Sequence, residues 1–494
     1  MAIPKVLGTE TEYGVIIRNR GHHHQALAAA AVIDSYPGGP VRVQWSYEHE
    51  APGSDARGFG HENFGMPDPD SALINSVLTN GARLYVDHSH PEYSGPECLD
   101  PREAALYDKV GELVMARAGR VVQEALPPNQ QIRLYKNNSD GKSSSYGAHE
   151  NYLLSRRTPF GKVIEYLPTF LVSRQIYTGS GKVGSENHRP ACSYQITQRA
   201  DFFEEVVGLE TTLRRPIVNT RDEPHGDPTR YRRLHVIIGD ANLSEVQTFL
   251  KLGATALFLH AMEDDALPSA LELAEPVKAC WQISHDLSLS QPIALAEGGS
   301  ITALELQFLY LEWLSEYAGR NLDHPVWTEL LEEWEAVLLD LEEDPLLTAD
   351  RLDWTAKLRL LQGYRVRENL RWSHPRLAAL ALQYHDVEPS RSIYHRLAER
   401  GAMRRMFSRS EVERAERLPP ESTRAWFRGT CVSRFGPSLV AANWDSLLFE
   451  TNHDGLVRVS MMEPLQGDRV TSGPLLGRVS DPAELIRELG KRDG

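Results

Sequence analysis

Small, β-branched and apolar residues crowd positions 3–17 and predict a strand, with Gly8 and Gly14 near its ends. The pattern then breaks down. Residues 18–80 are rich in Gly, His, Pro and Asn, with one short alanine-rich helical piece at Gln25–Ile33. So long an irregular stretch inside a domain points to a functional or mobile segment. Arg83–Asp87 predicts a second short strand. Asp100 followed by Pro101 supplies an N-cap and a proline at the first helical position, opening a helix to about Leu126. Between 130 and 240 short strands and turns dominate, among them Gln131–Lys136, His149–Leu154 and Leu234–Ile238. From Ser244 to about Tyr384 apolar residues recur at three and four, clearest over Val246–Met262 and Trp327–Leu341, and predict helices. Leu418-Pro419-Pro420 interrupts this run; strand-like pieces such as Leu456–Met462 and a terminal helix near Pro482–Lys491 follow. The order predicts an α+β fold with a large unit over 1–420 and a small one over 421–494.

Composition narrows the classes. A chain of 494 residues, 41% hydrophobic and 24% charged, has the length and make-up for a large core. Its net charge of −15 provides no global positive field to gather phosphates, which argues against non-specific nucleic-acid binding. Four cysteines without CxxC spacing fit free thiols in a reducing compartment better than a disulfide scaffold or zinc ribbon. The start has no secretory pattern, and no apolar run reaches the roughly 18 residues of a membrane span. The expectation is a cytoplasmic protein with no membrane partner.

Two segments concentrate chemistry. In Gly8-Thr9-Glu10-Thr11-Glu12-Tyr13-Gly14, Glu10 and Glu12 are two apart and share a strand face. Paired carboxylates repel unless a cation lies between them, and a hard divalent ion such as Mg²⁺ suits oxygen ligands; a solvated edge strand is the plainer reading. In Arg83-Leu84-Tyr85-Val86-Asp87, Leu84 and Val86 face a core while Arg83, Tyr85 and Asp87 line the other side. That is a poor core and a good polar site, and Glu92 beyond Pro91 offers a further ligand; a half-solvated strand ended by the proline is the alternative. His149 and Asn151 share a face after the glycine- and serine-rich turn 140–147.

Other motifs fail on inspection. His88 and His90 lack a third zinc ligand at suitable spacing. His149-Glu150 begins like HExxH, but Leu153 stands where the second histidine is needed. Gly179-Ser180-Gly181-Lys182-Val183-Gly184 matches GxGxxG without a strand–turn–helix around it and reads as a mobile turn. Gly141-Lys142-Ser143 ends like a P-loop, but Lys136 replaces the first glycine. The histidines at 22–24 read as a solvated loop.

Taken together, Gly8–Gly14, Arg83–Glu97, Tyr146–Leu154, Arg233–Asn242 and Thr423–Gly429 resemble, in order, the Pup ligase/depupylase family, a branch of the glutamine synthetase-like carboxylate–amine ligases. The resemblance implies a curved antiparallel sheet forming a cradle, helices behind it, and a small C-terminal domain. It implies Asp87 as the catalytic carboxylate, and Glu10, Tyr85 and Glu92 as magnesium ligands. Glu12 joins them by its placement, and His149 and His235 contact metal or phosphate. It implies Arg83, Ser94, Asn151, Trp426 and Arg428 at ATP (or ADP plus phosphate), the Trp426 indole stacking on adenine. Arg199, Arg221 and Arg233 are implied as phosphate or substrate-carboxylate binders.

Within the family one activity joins the C-terminal glutamate of Pup, a small protein modifier, to lysine. The other deamidates a C-terminal glutamine of Pup and cleaves the isopeptide bond. Glu92 follows Asp87 one residue sooner than in the ligase, and Glu10 and Asp87 are far apart, suiting an extra loop at about 37–65. Both features resemble the depupylase. The partners implied are Pup and pupylated proteins, with a link to the bacterial proteasome. The ligase and a non-catalytic nucleotide-binding regulator are the alternatives. Recognition of acidic Pup requires a local basic groove, with Arg214, Arg215, Arg230, Arg232 and Arg233 as candidates.

Overall fold

The computed structural model describes residues 2–19, 25–38, 43–46, 50–58, 75–451 and 455–491. The 37–65 loop therefore lies partly, and the histidines at 22–24 wholly, outside the described residues.

The predicted first strand is two strands. Leu7–Glu12 enters the main sheet, whereas Gly14–Arg18 leaves it and pairs with Gln131–Tyr135. The chain turns at Tyr13, whose amide donates to the Pro91 carbonyl. Gly14 permits the turn: a Cβ there would stand 2.6 Å from the Tyr146 hydroxyl. A change of sheet leaves no mark in a run of uniformly strand-like residues.

The main sheet has six strands, all antiparallel, in the order Tyr231–Val236, Ala148–Ser155, Leu7–Glu12, His90–Ser94, Arg83–Asp87, Asn75–Val77. Period-two alternation gives it two unlike faces. Leu84, Val86, Tyr93, Tyr152, Leu154, Leu234 and Val236 are buried in the main core on one face. Against that face lie the helices Pro101–Ala125 and Glu245–Glu263. The second is buried along nearly its whole length, so its apolar residues wrap all sides. Asp100 caps the first as expected, its side chain accepting from the Glu103 amide at 2.9 Å.

One helix was not expected. Phe160–Ser173 stands where short strands were predicted, with Pro168 inside it. Apolar runs containing proline carry a weak helical signal, and this one is settled by packing against Pro276–His285 and Ala303–Asn321. The glycine-rich 179–184 segment is no mobile turn: Gly179, Ser180 and Gly181 are buried, and Lys182–Val183 pairs with Tyr194–Gln195.

The C-terminal segment builds a second core from Phe427, Cys431, Phe435, Leu447, Phe449 and Leu485, which also takes in Val43, Trp45 and Val77. Gln44–Trp45 adds in parallel to the strand Leu439–Ala442. N-terminal residues thus complete the C-terminal sheet.

Candidate active site

The polar face of the main sheet is assembled by register. Glu10 lies opposite His149 on one neighbour and Ser94 on the other. Glu12 lies opposite Glu92, and Glu92 opposite Tyr85. Asn151 lies opposite His235. Residues directly opposite in an antiparallel pair share a face, so five strands deliver one row of acids and imidazoles.

Two clusters result. Ligand atoms of Glu10, His149 and His235 lie within 4.8 Å of one another, as do those of Glu12, Asp87 and Glu92. Around the first, Asn151 donates to Glu10 at 2.8 Å and accepts from Arg233 at 2.7 Å. Arg233 also reaches the Glu223 carbonyl at 2.8 Å. Burial opposes ionisation of Glu10, but His149, His235 and Arg233 outweigh it and hold the carboxyl well below the usual range. Burial pulls the His235 imidazole well below its usual range, against the opposing charge of Glu10.

The second cluster is acid against acid. Burial is outweighed at Glu12 by His90, His149 and the Gly147 amide, which bring it down to about 2. Glu92 is pushed well above its usual value by burial and then by Asp87, Glu10 and Glu12. Three facing carboxylates with so little counter-charge are a fitting place for a hard divalent cation. The space is kept open by Gly147, where a Cβ would meet His149 Nε2 at 2.4 Å and Glu12 Oε1 at 2.7 Å. The first cluster, with two imidazoles, suits contact with phosphate oxygens as well as with a metal.

Asp87 closes the strand, and Asp87 and His90 pair across a two-residue turn. His88 (φ 42°) and Ser89 (φ 75°) both occupy the left-handed region without being glycine. That is the backbone a tight hairpin needs, at a local conformational cost next to Asp87. This turn sets the short spacing from Asp87 to Glu92.

Two hollows open from the row. A cavity between the sheet and the C-terminal segment is lined by Glu10, Ser94, Glu97, Asn151, Arg233 and Trp444, among others. A larger groove takes in Glu12, Asp87, His149, Arg199 and Arg215. Glu10 lines the first and Asp87 the second.

The predicted residues divide accordingly. Ser94, Asn151 and Arg233 line the cavity. Arg199 lines the groove. Arg221 lies near enough to His235 for its charge to act on that ring. Arg83 is held between the rings of Trp45 and Tyr85, at 3.9 and 3.8 Å, and is not among the cavity lining. Nor are Trp426 and Arg428. Trp426 packs on the C-terminal core. Arg428 is fully buried, grips Glu97 through both terminal nitrogens, and donates from Nε to the Gly81 carbonyl at 3.0 Å. It has no group left to offer a nucleotide. The indole at the cavity is Trp444, whose ring lies 4.9 Å from the Arg428 guanidinium. Trp444, His225, Arg424 and Glu97 were missed; an indole between Asn443 and Asp445 in a turn was the available signal. The basic groove candidates scatter. Arg230 pairs with Glu463 and Arg232 with Asp222, away from the row.

Glu97 fixes this wall. Burial opposes its charge, but Arg428 and Arg424 bring its carboxyl down to about 2. A depressed acid stabilises the fold fully above its unfolded pKa of roughly 4.3 and loses that contribution as pH falls towards the folded value. Glu97→Gln leaves two buried guanidinium groups uncompensated and is expected to cost about 3–5 kcal/mol at pH 7. Urea melts at pH 7 and at acid pH check it: the gap between variant and wild type narrows in acid. An equal gap at both would contradict the pairing.

Comparisons with known proteins give the family and the fold. The model of the Pup-ligase protein family matches residues 5–448. The chain is 47% identical to the Pup deamidase/depupylase of Mycolicibacterium smegmatis, over 98% of this chain and 99% of that one. It is 44% identical to the Pup–protein ligase of Kineococcus radiotolerans, over 72% of this chain and 80% of that one. Among solved structures, the complex between Pup and its ligase PafA superposes with a TM-score of 0.81 at 29% identity, covering 96% of this chain and 92% of that one. The PafA complex with ADP gives 0.74 at 31% identity, covering 82% and 89%. The curved antiparallel cradle backed by helices is the glutamine synthetase-like fold of those ligases.

Proposed function

Because the chain belongs to the Pup-ligase protein family, we propose that it hydrolyses the side-chain amide of the C-terminal residue of Pup. It deamidates a terminal glutamine and cleaves the isopeptide bond to a substrate lysine. The observation that carries this reading is Asp87, facing Glu12 and Glu92 within 4.8 Å at the floor of an open groove. The depupylase relative matches over nearly the whole of both chains, the ligase over less of each.

ATP or ADP occupies the cavity under Trp444, with Ser94, Asn151, Arg233 and Arg424 at its wall. Glu10, Glu12, Tyr85, Glu92, His149 and His235 hold magnesium. When bound, the ions supply the positive charge that the facing carboxylates lack and stabilise an oxyanion. Asp87 starts the reaction by attacking the carbonyl carbon or by taking a proton from water. His149, on the groove side, stands beside Glu12 and Glu10 to orient the row. The 421–494 segment closes the nucleotide compartment and 1–420 carries the cradle. Among the described residues no helix is long and apolar enough to cross a membrane.

The test is a product assay with ATP and magnesium. Pup ending in glutamine is expected to release ammonia, and a Pup–lysine isopeptide to release lysine. Pup ending in glutamate, given a lysine-bearing protein, is expected to yield no net conjugate. Conjugate formation with no release of ammonia would assign the chain to the ligase activity instead.

A further inference from the structure

The hairpin between Asp87 and His90 turns through His88 and Ser89, both at positive φ. A two-residue turn of that pattern is served best by Asn-Gly or Gly-Gly. Histidine tolerates the left-handed region better than most residues, but serine gains nothing there. The turn by itself therefore does not account for the His88 ring. Nor does a metal, since His88 joins no group of metal-holding side chains among the described residues.

What the ring touches is Asp87. Its Nδ1 lies 2.7 Å from Asp87 Oδ2, and both side chains line the groove. Among the described residues the Asp87 carboxyl accepts no other hydrogen bond, so Oδ1 is left to the groove. The His88 side chain is 57% exposed and that of Asp87 30%. A pair so open to water adds little to stability. Its value is orientation. The charge of Asp87 works against that of Glu92, which favours turning the side chain out of the row. A donor on Oδ2 holds the plane of the carboxyl against that push.

We propose that His88 is the positioning residue of Asp87: the ring donates from Nδ1 to Oδ2 and so presents Oδ1 to the amide carbon or to the attacking water. The inference rests on the hydrolase reading of Asp87.

Two variants separate the donor from the turn. Asparagine and glycine both suit the left-handed region, but only asparagine keeps an N–H, on Nδ2, near the place of the ring Nδ1. The full chain is given ATP, magnesium and a Pup peptide whose last glutamate carries a fluorescent amine on its side chain. His88→Gly is expected to lose about 10–100-fold in kcat with little change in KM, the cost of a misaligned reacting group. His88→Asn is expected to stay within about fivefold of wild type, since one hydrogen bond is exchanged for another. Both are expected to melt at or above the wild-type temperature, because each relieves the turn. Wild-type kcat in His88→Gly overturns the proposal. So does His88→Asn falling as far as His88→Gly, which would mean that the ring acts by more than its donor. A loss carried by KM, or one that tracks a lowered melting temperature, overturns it as well. Wild type that releases no amine sinks the hydrolase reading instead. The two variants are then ranked on conjugate formation from glutamate-ended Pup, and the positioning role stands if asparagine again outruns glycine.

Discussion

Asp87→Asn is expected to lower amide hydrolysis by at least about a thousandfold while leaving nucleotide affinity within about twofold of wild type, because a removed nucleophile or base acts only on the chemical step. The asymmetry follows from placement. Asp87 lines the groove and Glu10 the cavity proposed to take the nucleotide. The substitution keeps the shape of the side chain but removes both the lone-pair basicity and the charge. It also takes one of three facing carboxylates out of the Glu12–Asp87–Glu92 cluster. The charge of Asp87 follows burial among the causes that push Glu92 up. Relief of that repulsion is expected to leave the melting temperature unchanged or raised. Ammonia release from glutamine-ended Pup, titration with a fluorescent ATP analogue and a thermal melt measure all three. A fully active Asp87→Asn enzyme removes the central assignment, and a collapsed melting temperature would make Asp87 structural.

Glu10→Ala acts at the other compartment. It is expected to weaken magnesium-dependent nucleotide binding by about 10–100-fold, the range seen when groups that hold or orient a metal are removed. Glu10 accepts from Asn151 and faces His149 and Arg233. Its loss takes away the acid that balances those groups, so part of the effect is displacement of Asn151 and His235, which are bonded to each other at 2.9 Å. Titrating nucleotide with and without chelator separates the two causes. With chelator, wild type falls to the level of the variant if Glu10 acts through the ion. Unchanged affinity in magnesium would exclude Glu10 from the metal site. The two variants form a pair: one keeps binding and loses turnover, the other loses binding first.

Much of the site was legible because strand alternation is local. Glu10 with Glu12, Arg83 with Tyr85 and Asp87, and His149 with Asn151 each share a face by their spacing alone. The sequence also marked its helix ends, as at Asp100-Pro101, where side-chain caps act within a few residues. What it left open was depth. Trp426 and Arg428 stand in a recognisable segment, yet the helix Arg424–Phe435 turns Arg428 inward to Glu97 and gives the cavity face to Trp444. The choice depends on Gly81 and Glu97, which lie hundreds of positions away along the chain.

The sequence by itself determined which side chains share a strand face, where the helix after Asp100 begins, and that acids and an arginine–tyrosine–aspartate run belong to a polar site. Only the tertiary structure decided that Leu7–Glu12 lies between Ala148–Ser155 and His90–Ser94, which gathers those acids into two clusters. It alone decided that Glu10 and Asp87 line different hollows. The physical reason is range: side-chain direction along a strand is fixed by the backbone of that strand, whereas strand order and burial are set by contacts between residues that the chain keeps far apart.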